Sequence, residues 1–318
     1  MGPAPSLLRR AFLAALLASS ASLAAAQNAA QPFTLPEIPG PMRPLGGLVI
    51  DAKALGGGGF SGVHLAPDLT LTLISDRGHW AETQLLLDGL TPIGLQSRRH
   101  GPLRDEAGRP LPRGFAADAE ALARLPDGTW LVAFERRHRL RAYRRLDGPG
   151  AYVAPPPGLE NAPSNGGLES LAVLPDRRLF AIAETFTPPD RPELRHAWLG
   201  VPGRWVPLYW QPAPGFQPTD AAILPDGRAL VLERRFSLLG GFSARLVITA
   251  PDALRSAREG AVLRGETILM LDDAPLPSEN WEGVAVTRFG DQTLVALLSD
   301  DNESILQRSL LLLFAWRG

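Results

Sequence analysis

The sequence predicts an all-β fold: a β-propeller of five blades, with six as the alternative, closed into a ring by strands from its two ends. Three observations predict it. A unit of two short apolar strands around a Pro-Asp turn recurs about five times. A carboxylate stands at each outer end of most copies. The opening positions, 61, 120, 169, 220 and 282, are spaced by roughly fifty to sixty residues, enough for about four strands per copy.

The clearest copy is Asp118–Arg136, DAEALARLPDGTWLVAFER, opened by Glu120 and closed by Glu135. Gly167–Thr185 repeats it with Glu169 and Glu184, and Pro218–Arg234 with Asp220 and Glu233. Asn280–Asn302 has a longer hairpin, with Glu282 opening and Asp300 or Asp301 closing. Phe60–Gly78 has Ser61 at the opening position and Asp76 at the closing one. Runs of Val, Leu, Ile and Phe on either side of the turn are strand-like. Asp-Gly suits a tight hairpin because both residues tolerate positive φ.

The chain opens with what is expected to be an export signal over residues 1–26. Arg9 and Arg10 precede an apolar stretch, Ala11–Leu23, and Ala24–Ala26 offers small residues for cleavage. The Arg pair also fits a twin-arginine signal. The apolar run is too short and too rich in Ala and Ser for a good membrane span, so no stable membrane insertion is expected once the signal is removed. The expected location is periplasmic or secreted. Residues 27–44 are a Pro- and Ala-rich lead-in, expected to be extended and mobile. One propeller domain then runs over 45–318. Leu48–Ile50 is expected to pair with the C-terminal strand Leu310–Trp316, which removes two sheet edges. Arg98–Gly114 and Ala154–Gly166 are expected as surface loops, and Pro251–Glu259 as the best helix candidate.

Bulk properties narrow the function. Net charge is −1, which argues against a nucleic-acid binder. There is no cysteine, so disulfides cannot contribute outside the cytoplasm. With 32 Gly and 31 Pro, turns are frequent, as many short strands require. Lys53 is the single lysine, so nearly all positive charge is guanidinium, which recognises carboxylate and phosphate in bidentate fashion.

The order of several short motifs resembles the phytase-like family, "esterase-like activity of phytase". They are Phe60-Ser61-Gly62, Ser75-Asp76-Arg77-Gly78, Asp118-Ala119-Glu120-Ala121, Phe134-Glu135-Arg136, Gly167-Leu168-Glu169, Pro225-Asp226-Gly227-Arg228, Glu233-Arg234, Asn280-Trp281-Glu282-Gly283 and Leu298-Ser299-Asp300-Asp301-Asn302. They run from about residue 45 to the C-terminus. The resemblance implies a propeller and a hydrolase role, and says little about substrate.

The chemistry rests on the carboxylates. Both ends of a hairpin away from its turn lie together, so opening and closing acids are expected to converge at one mouth of the axis. Two carboxylates about 5 Å apart repel by roughly 3 kcal/mol at an effective dielectric of about 20. Such a group must be protonated, paired with Arg, or share a cation. Calcium, which takes oxygen ligands in flexible geometry, is the expected cofactor, held among Asp76, Glu120, Glu169, Glu184, Asp220, Glu282, Asp300 and Asp301. Glu135 and Glu233, with Arg77, Arg136 and Arg234 beside closing acids, are the expected catalytic residues. The reaction would be water attack on a phosphate or carboxylic ester, with Arg neutralising the phosphoryl oxygens. No G-x-S-x-G motif is present, which argues against a serine esterase of the α/β-hydrolase type. Ser61 is expected in a turn role, and His79 is a candidate channel residue. The alternatives are a non-catalytic propeller that binds a ligand or partner at its central face and, more weakly, a lactonase-like metal hydrolase. The partner is expected to be a small phosphate or ester, and the protein a monomer.

Overall fold

The computed structural model describes residues 28–237, 240–272, 274–301 and 307–318. The expected export signal, residues 1–26, lies outside the described residues. In chain order, β1 (Ala30–Phe33) and β2 (Met42–Ile50) precede the first blade. Blade 1 is β3 (Phe60–Leu65), β4 (Thr70–Ser75), β5 (His79–Asp88) and β6 (Thr91–Pro102). Blade 2 is β7 (Ala119–Arg124), β8 (Trp130–Phe134), β9 (Arg139–Tyr143) and β10 (Ala151–Val153). Blade 3 is β11 (Leu168–Val173), β12 (Leu179–Ala183), β13 (Arg195–Val201) and β14 (Arg204–Trp210). Blade 4 is β15 (Gln217–Ile223), β16 (Ala229–Ser237), β17 (Gly241–Thr249) and, after β18 (Val262–Leu263), β19 (Gly265–Leu271). The two-residue β18 adds in parallel to the outer edge of blade 3. Blade 5 is β20 (Asn280–Phe289), β21 (Gln292–Asp300) and β22 (Leu310–Trp316), completed by β2 and β1.

The fold is therefore a five-bladed propeller, and the ring closes as the sequence predicts. Leu48 faces Leu311 and Val49 faces Leu310 across an antiparallel ladder. Part of the lead-in does more than connect. Ala30–Phe33 pairs with Gly47–Ile50 and becomes the outermost strand of blade 5. Arg98–Pro102 continues β6 and is strand, not loop. The expected helix shrinks to one turn, Ala253–Ser256.

Four inner hairpins share one turn. Asp68, Asp127, Asp176 and Asp226 each accept a hydrogen bond through Oδ1 from the backbone N–H two residues on, at 2.9–3.0 Å. The intervening residue has positive φ in all four. Gly128 and Gly227 meet that requirement without a Cβ penalty, whereas Leu69 and Arg177 adopt it under the hold of the turn aspartate. Blade 5 turns instead through Gly290 and Asp291.

The core lies between blades, where their faces meet. Trp198, Trp210, Trp281, Phe60, Phe134, Phe180 and Phe314 are among its largest buried side chains. Just past the bulged positions, two glycines on the innermost strands have no room for a Cβ. A Cβ on Gly62 would come within 2.8 Å of Ile74 and 3.2 Å of Leu122 in blade 2, and one on Gly283 within 2.7 Å of Val63 in blade 1.

Candidate functional site

Each innermost strand slips by one residue against its neighbour, and the slip falls at the same place in every blade. The skipped residues are Ser61, Glu120, Glu169, Thr219 and Glu282. A β-bulge of this kind leaves one residue unpaired and re-aims its side chain. Beside the bulge on the second strand of each blade stand Asp76, Glu135, Glu184, Arg234 and Asp300; four of these strands end there, whereas β16 runs on to Ser237. In three blades the closing residue donates its N–H to the carbonyl two residues before the bulge: Asp76 to Gly59, Glu135 to Asp118 and Glu184 to Gly167, at 2.8–3.0 Å. Apart from Thr219, these residues line one cavity of about 240 Å³ at one mouth of the axis.

Two of the sequence-predicted residues stand elsewhere. Counted back from the Pro-Asp-Gly turn, the bulged residue of blade 4 is Thr219 and the closing residue is Arg234, so Asp220 and Glu233 are each one position out. A one-residue shift on a strand reverses the side chain. Asp220 points between blades 4 and 5 and accepts from Ala221 N–H and Val284 N–H, both at 2.8 Å. Glu233 is wholly buried on the other side of β16, bonded to Trp210 Nε1 at 2.8 Å, to Arg245 at 2.7 Å and to Ala213 N–H at 3.3 Å. Neither lines the cavity. Asp301 also stands outside it, accepting from Ser309 Oγ at 3.0 Å.

The hydroxyl bulges stitch neighbouring blades. Ser61 Oγ donates to Ala119 O at 2.5 Å, and Thr219 Oγ1 donates to Trp281 O at 3.2 Å. The acceptor in each case is the residue just before the bulge of the next blade. The glutamate bulges are left to the cavity.

Arg234 is the one cation among the five closing residues. It pairs with Glu184 at 3.1 Å and with Glu282, and donates to Asn280 Oδ1. Asn280 in turn donates to Glu282 Oε1 at 2.8 Å. The other carboxylates have less help. Burial, then the charges of Asp118, Glu135 and Glu282, hold Glu120 well above the usual carboxylate range. Burial, then Glu120 and Glu184, do the same to Glu169. Burial raises Glu135 to about 7, despite the Gly167 N–H donating to Oε1 at 3.1 Å. Burial raises Glu282 to about 7 as well, opposed by Arg234. Asp76, Asp118 and Glu184 are also raised, in each case chiefly by burial.

Two sets of oxygens converge. Asp118, Glu120 and Glu135 each offer one oxygen, all within 4.8 Å of one another, and so do Glu135, Glu169 and Glu184. Glu135 belongs to both. Asp76, Glu282 and Asp300 line the same cavity outside these triads.

A second cleft, about 580 Å³, opens beside the acids and shares Asp76, Asp118 and Arg136 with their cavity. Arg77 and Arg113 line it, with His79, under the glycine run 56–58. Arg136 lies 2.5 Å from Asp118, and Arg77 lies 3.7 Å from Asp76.

The order of these residues along the chain is also that of a known family. Its sequence profile, phytase-like ("esterase-like activity of phytase"), matches residues 56–303. The chain belongs to the phytase-like family. No curated protein compared with this phytase-like chain matches it significantly. Three solved structures resemble it at low identity. A candidate gluconolactonase is 12% identical with a TM-score of 0.44, covering 91% of this chain and 99% of that one. The PQQ-bound aldose sugar dehydrogenase of Streptomyces coelicolor is 13% identical with a TM-score of 0.43, covering 85% and 98%. An inactive virginiamycin B lyase of Staphylococcus aureus, with quinupristin, is 8% identical with a TM-score of 0.41, covering 91% and 82%. At that similarity they bear on neither substrate nor mechanism.

Sequence reasoning passed over Asp118, Asn280 and Arg113. Asp118 stands two residues before the bulge, where blades 1 and 3 have Gly59 and Gly167. A Cβ on Gly59 would come within 2.1 Å of Asp76 Oδ1, so glycine is needed there. A carboxylate at that position in blade 2 is thus a departure within the repeat itself, visible once copies are aligned on the turn. Arg113 lies between blades and belongs to no repeat, so no signal pointed to it.

Proposed function

We propose that this phytase-like protein is an exported hydrolase of phosphate or carboxylic esters that works with a bound calcium ion. The observation that carries the reading is Glu135, common to two oxygen triads in a cavity that shares Asp76, Asp118 and Arg136 with a cleft lined by three arginines.

The donor set fits calcium. Every donor in both triads is a carboxylate oxygen, the ligand type that hard cations prefer. Calcium–oxygen distances of about 2.3–2.6 Å put oxygens on opposite sides of one ion about 5 Å apart, and each triad falls within 4.8 Å. Acids raised by burial and by one another's charge are also the groups a cation would relieve. Asp118, Glu120 and Glu135, or Glu135, Glu169 and Glu184, would hold it. When bound, the ion supplies Lewis-acid polarisation of the ester oxygen and a lowered pKa for the attacking water.

The chain's own residues do the rest. Arg77, Arg113 and Arg136 offer guanidinium forks along one cleft, suited to holding the oxygens of a phosphoryl or carboxyl group in a fixed orientation. Glu135, raised to about 7, holds or releases a proton at neutral pH. Its Oε1 is engaged by Gly167 N–H, which leaves Oε2 as the oxygen for a proton. Arg234 holds Glu184 and Glu282 in place and opposes their uptake of protons. Among the described residues no helix is long and apolar enough to cross a membrane. Export itself rests on residues 1–26.

The test is hydrolysis of phosphomonoester and aryl-ester panels by the purified protein, with calcium and with chelator. Calcium-dependent turnover that disappears in Glu135→Gln is the expected result. Thermal stabilisation by calcium with no turnover on either panel would instead make the protein a binding propeller.

A further inference from the structure

On the face opposite the acids, where the innermost strands end, blades 1 and 2 flank a groove of about 900 Å³. Five guanidinium groups line it: Arg98, Arg99, Arg124, Arg144 and Arg145. Only two carboxylates do, Asp68 and Glu82. Glu82 pairs with Arg99 at 2.9 Å, and Asp147 at the rim pairs with Arg145 at 2.6 Å and Arg99 at 3.7 Å. Arg98, Arg124 and Arg144 form no ion pair among the described residues. Arg98 is held by neutral groups, Gln84 and Thr70. Arg124 Cζ lies over Trp130, 4.5 Å from the ring centre.

The propeller does not require this charge. The corresponding groove between blades 3 and 4 holds about 240 Å³ and is lined by Asp176, Asp226 and Asp252 against Arg178 and Arg255. There the turn aspartates pair with the arginine two residues on, Asp176 with Arg178 at 2.7 Å and Asp226 with Arg228 at 2.6 Å. In blades 1 and 2 the same turn position holds Thr70 and Thr129, so Asp68 and Asp127 form no such contact pair and act on Arg98 and Arg144 only at longer range. The excess of cations is local to one groove, in a chain whose net charge is −1.

Two residues that line the groove also have buried polar atoms without hydrogen-bond partners. Trp80, 4% exposed, has a buried Nε1 with no partner, and His64 Nδ1 is likewise buried and unanswered. His64 lines both this groove and the narrow axial channel beside it. Burial and the Arg124 charge push His64 down to about 4, so it is neutral at pH 7 and adds no repulsion to the arginines.

We propose that this groove is a second ligand site, separate from the acidic mouth, for a compact polyanion: a small molecule with two or more phosphate or carboxylate groups. Its volume is that of a small-molecule site. Arg124, held over Trp130, and Arg98, held by an amide and a hydroxyl, keep their forks ready for planar oxyanions at little cost in side-chain freedom. Arg124 and Arg144 are the principal contacts, because neither forms an ion pair among the described residues.

Calorimetric titration of the full-length protein with tripolyphosphate and, separately, citrate tests the site at about 0.1 M salt, where exposed charges are screened beyond roughly 10 Å. Saturable binding of either probe is expected, weakened about tenfold or more by Arg144→Gln and further by Arg124→Gln. Arg144→Gln leaves the Arg124–Trp130 stack intact, so a folding defect in Arg124→Gln would not obscure the result. Arg255→Gln, in the groove between blades 3 and 4, is expected to leave the affinity unchanged. No saturable heat with either probe would overturn the proposal. So would binding that is lost in Arg113→Gln and kept in Arg144→Gln.

Discussion

Arg234 on β16 lies 3.1 Å from Glu184 at the end of β12, and the same guanidinium bonds Glu282 on β20. One cation from blade 4 therefore ties blades 3 and 5 across the axis. It occupies the ring position that carries a carboxylate in each of the other four blades. Its charge offsets part of the repulsion among the acids around it.

Arg234→Met should consequently destabilise the metal-free protein by about 3–5 kcal/mol, the usual cost of stranding a buried charge. The side chains involved are mostly buried, 20% exposed for Arg234 and 13% for Glu184, so solvent screening discounts little of this. Urea unfolding with chelator at neutral pH measures it. Saturating calcium should recover part of the loss by supplying positive charge at the same mouth. A loss under about 1 kcal/mol would mean that Glu184 and Glu282 take up protons instead of relying on Arg234.

Glu135→Gln should separate charge from fold. Glutamine keeps the shape and an oxygen for Gly167 N–H while removing one negative charge from both triads. Without metal at pH 8 the variant should be as stable as the parent or more so, because a repelled carboxylate has gone. With calcium it should show little of the parent's rise in melting temperature. Scanning calorimetry with and without calcium checks both halves, and a full calcium response in the variant would remove Glu135 from the ligands.

Stability and metal binding should move oppositely with pH. The folded-state values of Glu135 and Glu282 are raised to about 7, above their ordinary 4.5. The folded protein therefore binds more protons than the unfolded chain between about 4.5 and 7, and metal-free stability falls as pH rises through that window. Calcium needs the ionised carboxylates, so its affinity should climb through the same range and level off above it. Thermal melts from pH 5 to 8 should show a shrinking metal-free melting temperature and a growing calcium increment. A calcium increment constant across the series would contradict the raised values.

Much of this was legible in the sequence. The Pro-Asp turn with apolar runs on both sides fixes the inner hairpins, and an odd strand at each end of the chain calls for ring closure. The convergence of Glu120, Glu135, Glu169 and Glu184 follows from hairpin pairing alone. The β-bulge was not legible. It shifts register without altering composition, so Asp220 and Glu233 look like plausible equivalents until the count starts from Pro225. Asp118 was hidden because its counterparts, Gly59 and Gly167, are small for packing reasons and carry no chemistry. Ala30–Phe33 was hidden because Pro-rich segments are tolerated on sheet edges, where one face of the backbone needs no partner.

The bulge register makes a last claim that separates structure from chemistry. Asp220 and Glu233 lie within one residue of the acidic ring yet should behave as scaffolding. Glu233→Ala strands Arg245 and Trp210 Nε1 in the core and should cost about 3–5 kcal/mol. Asp220→Asn turns an amide donor toward one of two backbone N–H groups and should cost about 1–3 kcal/mol. In both variants the folded fraction should keep the parent's calcium-induced rise in melting temperature and its KM for any ester it hydrolyses. Thr219→Val, which loses the bond to Trp281 O at 3.2 Å, should also leave the calcium response intact at a cost of about 1 kcal/mol. Denaturant titration gives the stabilities, and calcium-dependent melts of the same samples give the metal response. If Asp220→Asn abolished calcium stabilisation while folding normally, the ligands would have to be drawn from the even face of β15, and the bulge alignment would fail.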